Sequence, residues 1–366
     1  MIHALVRRLV LTACLLTIAP LLANAQPMGA QDDDFLYRVV KDDTLLELAE
    51  RYTHSPNLWS FLRDHNAVDD PRALPIGKIL RIPFRLIPER PSTARIVHII
   101  GSVHANEQLL QVGRQLEEGH RLRTGPDSYV TLLLEDGSTM MLPGSSNIQV
   151  QRLRAFEGTG LIDAILSVEN GALESIVAPE KNRVGRFEVR TPVTITGVRG
   201  TQLRVRSDDN GSQTEILDGQ VQLQASAAAQ TAVLRAGQGA TTSPDGRMHA
   251  VQTLPAAPTL SIPERTPQGW QVDVTPVPGA QVYLVRVASD PEGTRPWSAK
   301  LFDTPEAIHF SAPGAGTYYV LVRAVTASGL MGPDAAQPFE GRAVLISRDG
   351  QAIVTGYGGQ VHLNDY

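Results

Sequence analysis

Cysteine is nearly absent from this sequence, and its absence limits both stability and chemistry. The one cysteine, Cys14, lies in the apolar N-terminal segment. A chain without further cysteines forms no internal disulfide, so its stability must come from hydrophobic cores. The same absence excludes a cysteine nucleophile and a thiolate metal site from the rest of the chain.

Other catalytic signatures are missing as well. The histidines have neither the H-x-H nor the H-x-x-x-H spacing of zinc peptidases, and no G-x-S-x-G, P-loop or G-x-G-x-x-G motif occurs. A glycosidase needs only two well-placed carboxylates, which the sequence leaves open. We expect a non-catalytic protein with no metal and no cofactor.

Charge balance and hydropathy exclude two further classes. Acidic residues exceed basic ones, 38 against 33, which gives a formal net charge of −5. Nucleic-acid binding favours a basic surface, so no nucleic acid is expected as a partner. After the N-terminal segment, no apolar run approaches the roughly 18 residues of a membrane-spanning helix. The mature chain is therefore not expected to span a membrane.

The first 25 residues are typical of a secretion signal. Arg7 and Arg8 precede an apolar segment over 9–22, and an Ala-Asn-Ala sequence ends it. Signal peptidase cleaves after this order of basic, apolar and small residues. We expect the signal peptide, residues 1–25, to be removed before Gln26 and the mature protein to enter the periplasm.

A second interpretation of the N-terminus is lipid attachment. The sequence Leu-Thr-Ala-Cys at 11–14 matches a lipobox, in which Cys14 receives the lipid. An apolar stretch follows Cys14, however, whereas lipoproteins usually become polar there. Cleavage before Gln26 is the favoured interpretation.

Residues 36–84 carry the helix patterns of the sequence. Thr44 and Glu47 form a capping box, in which each side chain satisfies a free backbone N–H at a helix start. A Ser-Pro pair at 55–56 marks the start of a second helix, with proline at its first position. The predicted β-α-α-β elements are a strand at 37–40, helices starting at 44 and 55, and a strand at 79–83.

This order and these residues resemble the LysM family. Members of that family run Y-x-V-x-x-G-D-T-L, then a helix with an alanine, an asparagine after the second helix, and L-x-x-G-x-x-L-x-I-P. Asp42 stands where glycine is usual, and aspartate tolerates a positive φ better than most residues. The matching positions are Tyr37, Val39, Asp43, Thr44, Leu45, Ala49, Asn66, Leu74, Gly77, Leu80, Ile82 and Pro83.

The LysM resemblance implies a site for glycans that contain N-acetylglucosamine, such as peptidoglycan. Its groove lies between the loop before the first helix and the loop before the second strand. Backbone groups at the helix start are expected to hold the acetamide, with Leu45 and Ile76 against its methyl group. The alternative is structural, with Thr44 as a cap and the two apolar residues in the core. The implied glycan-binding residues are Asp43, Thr44, Leu45, Leu74, Pro75, Ile76 and Gly77.

From 94 to 242 strand patterns dominate, and no amphipathic helix is predicted. Val130, Leu132 and Leu134 alternate with their neighbours, and Asp136-Gly137 follows, which is a strong hairpin signal. This stretch is therefore predicted to be an all-β domain. Further tight turns are predicted at Asn170-Gly171, Asn210-Gly211 and Asp218-Gly219.

The same stretch resembles the FecR domain family. The segments that carry the resemblance are Arg123-Thr124-Gly125, Glu135-Asp136-Gly137-Ser138, Thr191-Pro192, Gly197-Val198-Arg199-Gly200-Thr201 and Ala236-Gly237-Gln238. The best known members regulate iron-uptake transcription and carry an anti-sigma segment and a membrane helix, neither of which is visible here. The resemblance implies a periplasmic β-domain that contacts a protein or a glycan. Arg199 is a candidate partner contact, and the alternative is that it anchors a glycine-rich turn.

Residues 256–346 are rich in strand patterns again. Strands are predicted at 270–274, 283–287 and 316–325, and an early tryptophan with a tyrosine-led late strand is typical of a β-sandwich. The stretch resembles a fibronectin type III domain, which implies a spacer or an adhesion surface. Residues 347–366 form a tail with one further hairpin signal.

Together the patterns predict a mainly β protein of three parts. A solvated leader is expected at 26–34, and proline-bearing linkers are expected at 88–92 and 243–258. The favoured function is a non-catalytic envelope protein that binds peptidoglycan and presents the FecR-like domain to an envelope or inner-membrane protein. The alternative is a periplasmic sensor in a signalling system, in which the LysM-like part only locates the protein.

Overall fold

The computed structural model describes residues 27–71, 74–177, 185–226, 230–266 and 268–341. The fold is mainly β, with 55% strand and 7% helix, as the sequence predicts. The predicted signal peptide at 1–25, with Cys14, and the tail at 347–366 lie outside the described residues. An N-terminal module, a central domain and a C-terminal module follow one another along the chain.

The N-terminal module consists of an antiparallel sheet packed against two short helices. Its last two strands pair with each other and enclose the helices in the chain, in the predicted β-α-α-β order. The elements are β1 (Pro27–Gln31), β2 (Asp34–Arg38), α1 (Leu45–Thr53), a 3-10 turn (Pro56–Leu58), α2 (Trp59–His65), β3 (Ile79–Pro83) and a second 3-10 turn (Phe84–Leu86).

The strand β1 overturns the prediction of a solvated leader at 26–34. The chain reverses after β1, and β1 pairs antiparallel with β2, with Gln31 opposite Asp34 and Pro27 opposite Tyr37. Asp32 takes the left-handed conformation of the turn, with φ +53°, which aspartate tolerates. Ala30 packs against the module core, so this polar segment is held by backbone pairing and one small apolar contact.

The central domain is all-β and surrounds one continuous apolar core. Its described strands are β4 (Glu89–Pro91), β5 (Ala94–Ile100), β6 (Val103–Ala105), β7 (Gln108–Leu109), β8 (Gln115–Leu116), β9 (Arg121–Thr124), β10 (Tyr129–Leu134), β11 (Thr139–Leu142), β12 (Asn147–Phe156), β13 (Leu161–Ile176), β14 (Arg186–Arg190), β15 (Thr194–Asp208), β16 (Gly211–Ala225), β17 (Thr231–Arg235), β18 (Gln238–Thr242) and β19 (Gln252–Thr253). The pair β13–β14 is parallel, and the other pairs in the described part of the domain are antiparallel.

Three long strands of this domain bend and change partner at a glycine. β13 changes from β12 to β15 at Gly171, and β15 changes from β14 to β13 at Gly200. β16 changes from β18 to β17 at Gly219. The φ angles are +92°, +54° and +80°, which glycine adopts without strain. The bends let one strand serve two parts of the sheet.

Two of the predicted hairpin turns are therefore wrong. Asn170-Gly171 and Asp218-Gly219 lie inside continuous strands, and the glycine-rich segment 197–201 belongs to β15 instead of forming a turn. An Asn-Gly or Asp-Gly pair marks a positive φ, but partner strands decide whether the chain reverses there. The turns predicted at Asp136-Gly137 and Asn210-Gly211 are confirmed, since they join β10 to β11 and β15 to β16.

The C-terminal module consists of two sheets with a common core. Its described strands are β20 (Glu264–Thr266), β21 (Gly269–Val272), β22 (Ala280–Ala288), β23 (Pro296–Phe302), β24 (Ile308–Phe310), β25 (Gly316–Thr326) and β26 (Ala335–Gly341). One sheet has the order β20-β21-β24 and the other β23-β22-β25-β26. The Trp270 ring lies in the core, 5.2 Å from the ring of Phe339. These strands form the predicted sandwich.

Both predicted linkers are wrong, because both segments are docked on the central domain. β4 pairs with residues 154–156 of β12, and β19 pairs with residues 238–239 of β18. Leu254, in the second segment, is buried. Prolines interrupt a strand pattern in the sequence, but they are compatible with the short edge strands that form here.

The tip of the β12–β13 hairpin joins the N-terminal module to the central domain. Phe156 and Leu161, at the two ends of the tip, belong to the core of the N-terminal module. The Phe156 ring stacks on the ring of Phe84 with centroids 4.4 Å apart. The Glu157 carboxylate lies 3.3 Å from His54 Nε2. The two parts therefore share a core.

Removing the Phe156 ring should loosen this junction. We expect Phe156→Ala to lower the free energy of unfolding by about 3–5 kcal/mol, the usual cost of a phenylalanine-sized core cavity. Protease cleavage within 84–92 should become faster, because this segment packs beside the ring. Urea unfolding and mapped proteolysis measure the two effects. Phe310→Ala in the C-terminal core is the control, and equal cleavage within 84–92 in both variants would contradict the shared core.

Candidate functional site

Two loops meet at one end of the N-terminal module. The amide of Gly77 donates to the carbonyl of Val39 at 2.8 Å, and the amide of Val39 donates to the carbonyl of Lys78 at 2.9 Å. These bonds extend the pairing of β2 with β3 beyond the strand ends. The loop before α1 and the loop before β3 consequently lie side by side. The two predicted walls, 43–45 and 74–77, are at the same end of the module.

Asp43 holds the first loop in shape. Its Oδ2 accepts hydrogen bonds from the amide of Val40 and from the hydroxyl of Tyr37, both at 2.8 Å. Burial raises the pKa of the Tyr37 hydroxyl, and the carboxylate of Asp43 raises it further. Arg51 Nη1 lies 3.8 Å from the other carboxylate oxygen. Asp43 is committed to these contacts, so it positions the loop.

Thr44 caps α1 as the sequence predicts. Its Oγ1 accepts from the amide of Glu47 at 3.2 Å and donates to Glu47 Oε2 at 3.1 Å. The backbone of Thr44 is extended, with φ −122° and ψ 152°, so the chain enters the helix directly after it. Thr44 is exposed, and the first turn of α1 follows it at the surface.

The two leucines after Thr44 point in opposite directions. Leu45 is 1% exposed and belongs to the module core, so it does not reach a ligand on the surface. Leu46 is 54% exposed at the helix start. The sequence analysis missed Leu46, although a signal exists, because it lies off the apolar helix face that Leu48 and Tyr52 continue.

The second loop presents an apolar surface around a glycine turn. Gly77 has φ +84°, and Pro75 beside it is exposed. Ile76 is 67% exposed and Ile79, at the start of β3, is 45% exposed, whereas Leu74 is half-buried. Isolated exposed apolar side chains are common on protein surfaces. The loop that carries them lies beside the loop that leads into α1, and a helix start leaves its first backbone N–H groups without partners inside the helix.

Such an end suits a neutral ligand that has both apolar and hydrogen-bonding groups.

Within the described ranges, no group of His, Cys, Asp and Glu side chains is arranged to hold a metal ion. Among the same residues, no helix has the length and apolarity that crossing a membrane requires.

A second notable site lies where the C-terminal module docks on the central domain. Side chains from both parts form what we call the interface charge cluster, in which three guanidinium groups face three carboxylates. Its members are Glu174, Arg204 and Glu215 of the central domain and Arg286, Arg323 and Asp334 of the C-terminal module.

Arg323 lies at the centre of the cluster and is fully buried. Its Nη1 and Nη2 donate to the Glu174 carboxylate at 2.9 and 3.0 Å, across the interface. Its Nε and Nη2 donate to Asp334, both at 2.9 Å. Arg286 Nη2 donates to the same aspartate at 2.7 Å. The bidentate pair between Arg323 and Glu174 crosses the interface and therefore fixes the direction of docking.

Arg204 and Glu215 extend the cluster to the backbone of the C-terminal module. Arg204 Nη1 donates to Glu215 at 3.0 Å and to the carbonyl of Gly332 at 3.0 Å. The amide of Met331 donates to Glu215 Oε1 at 2.7 Å. Arg204 and Glu215 of the central domain thus bind main-chain groups of the C-terminal module across the interface.

Burial and the guanidinium groups act on the carboxyl pKa values in opposite directions. Burial alone would raise the pKa of Glu174, but Arg323, Arg286 and Arg204 outweigh it and hold this pKa at about 2. The same three arginines lower the pKa of Asp334 against the effect of burial.

The sequence analysis missed this cluster entirely. Arg286 and Arg323 lie in strand patterns where a single charge indicates an outward-facing position. β22 and β25 are neighbours, and Arg286 pairs opposite Leu321 while Arg323 pairs opposite Leu284. The signal that was available is an arginine inside an apolar run on each of two strands. This signal can be interpreted only when the partner carboxylates are known, and these are distant in the sequence.

A comparison with protein families identifies the central part of the chain. The model described as FecR protein matches residues 120–222, which run from just before β9 into β16. Residues 120–222 form a FecR domain. The three glycine bends lie within the FecR domain, and so do the three members of the charge cluster that precede the C-terminal module.

Solved structures and curated proteins add less. Two crystal structures of a candidate anti-sigma factor from Parabacteroides distasonis, at 1.65 and 2.50 Å resolution, share 13% and 15% identity with TM-scores of 0.30 and 0.29. Each match covers 36% of this chain and 59% of the other chain, so the protein spans under two thirds of that relative. No curated protein matches the chain.

Arg199, the predicted partner contact, lies on β15 of the FecR domain. Its backbone pairs with Gln220 of β16, beside the bend at Gly200. The side chain of Arg199 lies outside the described part of the structure. Arg199 therefore occupies a strand position, and the glycine-rich segment around it is not a turn.

Breaking the interface charge cluster should destabilise the docking. We expect Arg323→Met to lower the free energy of unfolding by about 3–5 kcal/mol, because buried carboxylates lose their main partner. Urea unfolding measures the loss. The control is Arg295→Met, which removes an exposed arginine 3.5 Å from Asp290 and should cost about 1 kcal/mol or less. Similar losses in both variants would rule out a central role for Arg323.

Acid should weaken the same interface between pH 4.5 and about 2. The pKa of Glu174 falls from 4.5 to about 2 on folding, and that of Asp334 falls as well. A carboxyl with a lowered folded pKa stabilises the fold above its unfolded pKa and loses this contribution as the pH falls through the folded value. Burial raises the pKa of Glu215, so this carboxyl has the opposite effect on stability. It is one group, whereas Glu174 and Asp334 are two.

This dependence is measured by urea unfolding over a pH series. Glu174→Gln should flatten the curve between pH 4.5 and about 2, because it removes the titrating carboxyl. The matched control is Glu306→Gln, an exposed glutamate of the C-terminal module. An unchanged slope in Glu174→Gln contradicts the assignment.

Proposed function

We propose that this protein is a non-catalytic periplasmic protein of the cell envelope, which binds peptidoglycan through its N-terminal module and presents the FecR domain to a partner. The leader at 1–25, with cleavage before Gln26, supports export to the periplasm. The LysM resemblance of residues 36–84 supports a glycan ligand. The FecR match at 120–222 supports a regulatory part.

The observation that carries the glycan site is the exposed apolar surface beside the free helix start. Leu46, Ile76 and Ile79 are 54%, 67% and 45% exposed at the end where the two loops meet. An N-acetyl group presents a methyl group and an amide together, and this end offers apolar contacts next to backbone donors. Asp43 and Thr44 act by holding the loop, whereas Leu46 takes the contact first assigned to Leu45.

A single site of this kind binds weakly, because proteins usually gain avidity by linking several modules. The shared core at Phe156 and Leu161 changes what such a tether does. The glycan-binding end is fixed relative to the FecR domain, so the protein holds that domain at the wall in a defined orientation.

Two exposed apolar side chains at and after the end of β7 support a protein partner. Leu109 and Val112 are 64% and 61% exposed, close together in the chain. Exposed apolar residues that cluster are typical of contact surfaces. An envelope or inner-membrane protein is the partner class that we propose for this surface.

A second candidate function is a sensor in a signalling system, and the FecR domain favours it. In this case the N-terminal module only locates the protein, and binding of the partner carries the signal. Photo-crosslinking from position 109 in whole cells distinguishes the two. A captured membrane sensor, kinase or cyclase favours signalling, and a captured structural envelope protein favours the first function.

The glycan proposal predicts loss of retention on purified sacculi. We expect Thr44→Arg combined with Ile76→Arg to reduce the bound fraction at least about tenfold, because two long charged side chains replace the neutral surface. Sedimentation with sacculi measures it. The matched control is Ile262→Arg, since Ile262 is 79% exposed outside the N-terminal module. Retention that is unchanged in the double variant would falsify the loop site.

A further inference from the structure

A cleft of about 920 Å³ separates the N-terminal module from the FecR domain. We call it the inter-module cleft. Asp34 and Pro83 line the cleft, where β2 begins and β3 ends. The loops before α1 and before β3 lie at the other end of these two strands. The size of the cleft is within the range of roughly 300–1,000 Å³ of ligand pockets. The cleft is therefore a separate site from the one proposed for the loops.

The floor of the cleft is the outer face of four FecR-side strands. Glu188, Gly197, Gln222 and Val233 stand opposite one another across β14, β15, β16 and β17 and form one row. A Cβ atom added at Gly197 would meet only a carbonyl oxygen at 4.0 Å, so the row is open at its centre. Val233 is 50% exposed. Gln220 adds a second amide on the same face.

The facing wall comes from the N-terminal module. His65, Phe84 and Arg85 line it. The Arg85 guanidinium lies over the ring of Phe61 at 5.3 Å, and the Phe84 ring is fixed by stacking on Phe156. Since this stacking also joins the two parts, the wall and the floor keep a constant separation.

Five of the six carboxylates that line the cleft pair with arginines of the protein itself. Arg81 Nε donates to Asp34 at 2.7 Å, and Arg186 makes two bonds to Asp163 at 2.6 Å. Glu188 accepts from Arg190. Charged groups held in pairs act as oriented hydrogen-bonding groups and attract no particular counter-charge. A neutral ligand is consequently favoured over a cationic or an anionic one.

We propose that the inter-module cleft is a second binding site, for a neutral polyhydroxylated chain such as a glycan strand. The amides of Gln220 and Gln222 both donate and accept, which suits hydroxyl groups. Val233 and Phe84 provide apolar contact for the C–H faces of sugar rings. Because the site uses both parts of the chain, it exists only while they are docked. Two sites in one rigid protein raise the avidity for a long strand.

The test uses the full-length mature chain and a soluble hexamer of N-acetylglucosamine. In an Ile76→Arg background, which removes the loop site, we expect calorimetry to detect residual binding of the hexamer. Gly197→Tyr should weaken it at least about tenfold, because the ring fills the open floor. Ile195→Tyr is the matched control, since Ile195 is two residues away on the same face of β15 and outside the cleft.

A milder pair of variants guards against misfolding. Gln222→Ala should weaken hexamer binding, and Gln224→Ala, on the same face of β16 but outside the cleft, should leave it unchanged. Circular dichroism checks that each variant is folded.

The outcomes separate this site from the loop site. If Ile76→Arg alone abolishes binding of the hexamer, the cleft proposal is overturned and the proposed function stands. If binding survives Ile76→Arg but not Gly197→Tyr, the cleft is supported and the loop site is not needed. Equal effects of Gly197→Tyr and Ile195→Tyr, or no binding by the unmutated chain, overturn the cleft.

Discussion

One strand, β13, connects all three parts of the protein, and the arrangement of the rest depends on it. Leu161 at its start lies in the core of the N-terminal module, and Glu174 near its end accepts both bonds from Arg323 of the C-terminal module. Sixteen residues at roughly 3.3 Å each give about 50 Å of strand. Gly171 bends this strand so that one half pairs with β12 and the other with β15. A single covalent element therefore sets the distance between the two outer modules.

This rigidity bears directly on the proposed function. A module on a flexible linker only raises the local concentration of its neighbour, whereas a module in a shared core also fixes orientation. The buried ion pairs of the interface charge cluster contribute to orientation more than to stability, because desolvation offsets most of their attraction. The exposed side chains of Leu109 and Val112 are then held at a constant angle to the end of the N-terminal module that we propose binds glycan.

The sequence predicted which two loops form the candidate glycan site, but not which side chains those loops expose. The loops at 43–45 and 74–77 lie together, and Thr44 is the predicted cap. Leu45 is buried, however, and Leu46 is exposed, which only the rotation of α1 against the sheet determines. The Asp43 carboxylate accepts hydrogen bonds from Tyr37 and Val40, so it positions the loop. A family pattern combines residues that bind with residues that hold the fold, and it does not separate them.

What the sequence determined by itself is local. Alternation predicted the strands, the Thr44–Glu47 pair predicted a helix start, and glycine pairs marked where φ is positive, because these depend on neighbours a few residues away. Tertiary structure decided whether Gly171 reverses or bends the chain, whether 88–92 and 243–258 are free or docked, and that Arg323 is buried. Each of these depends on a partner distant in the sequence. The partner is β15 for Gly171, β12 and β18 for the two segments, and Glu174 for Arg323. Only the folded chain brings such groups into contact, and only then does their interaction offset the free energy of removing them from water.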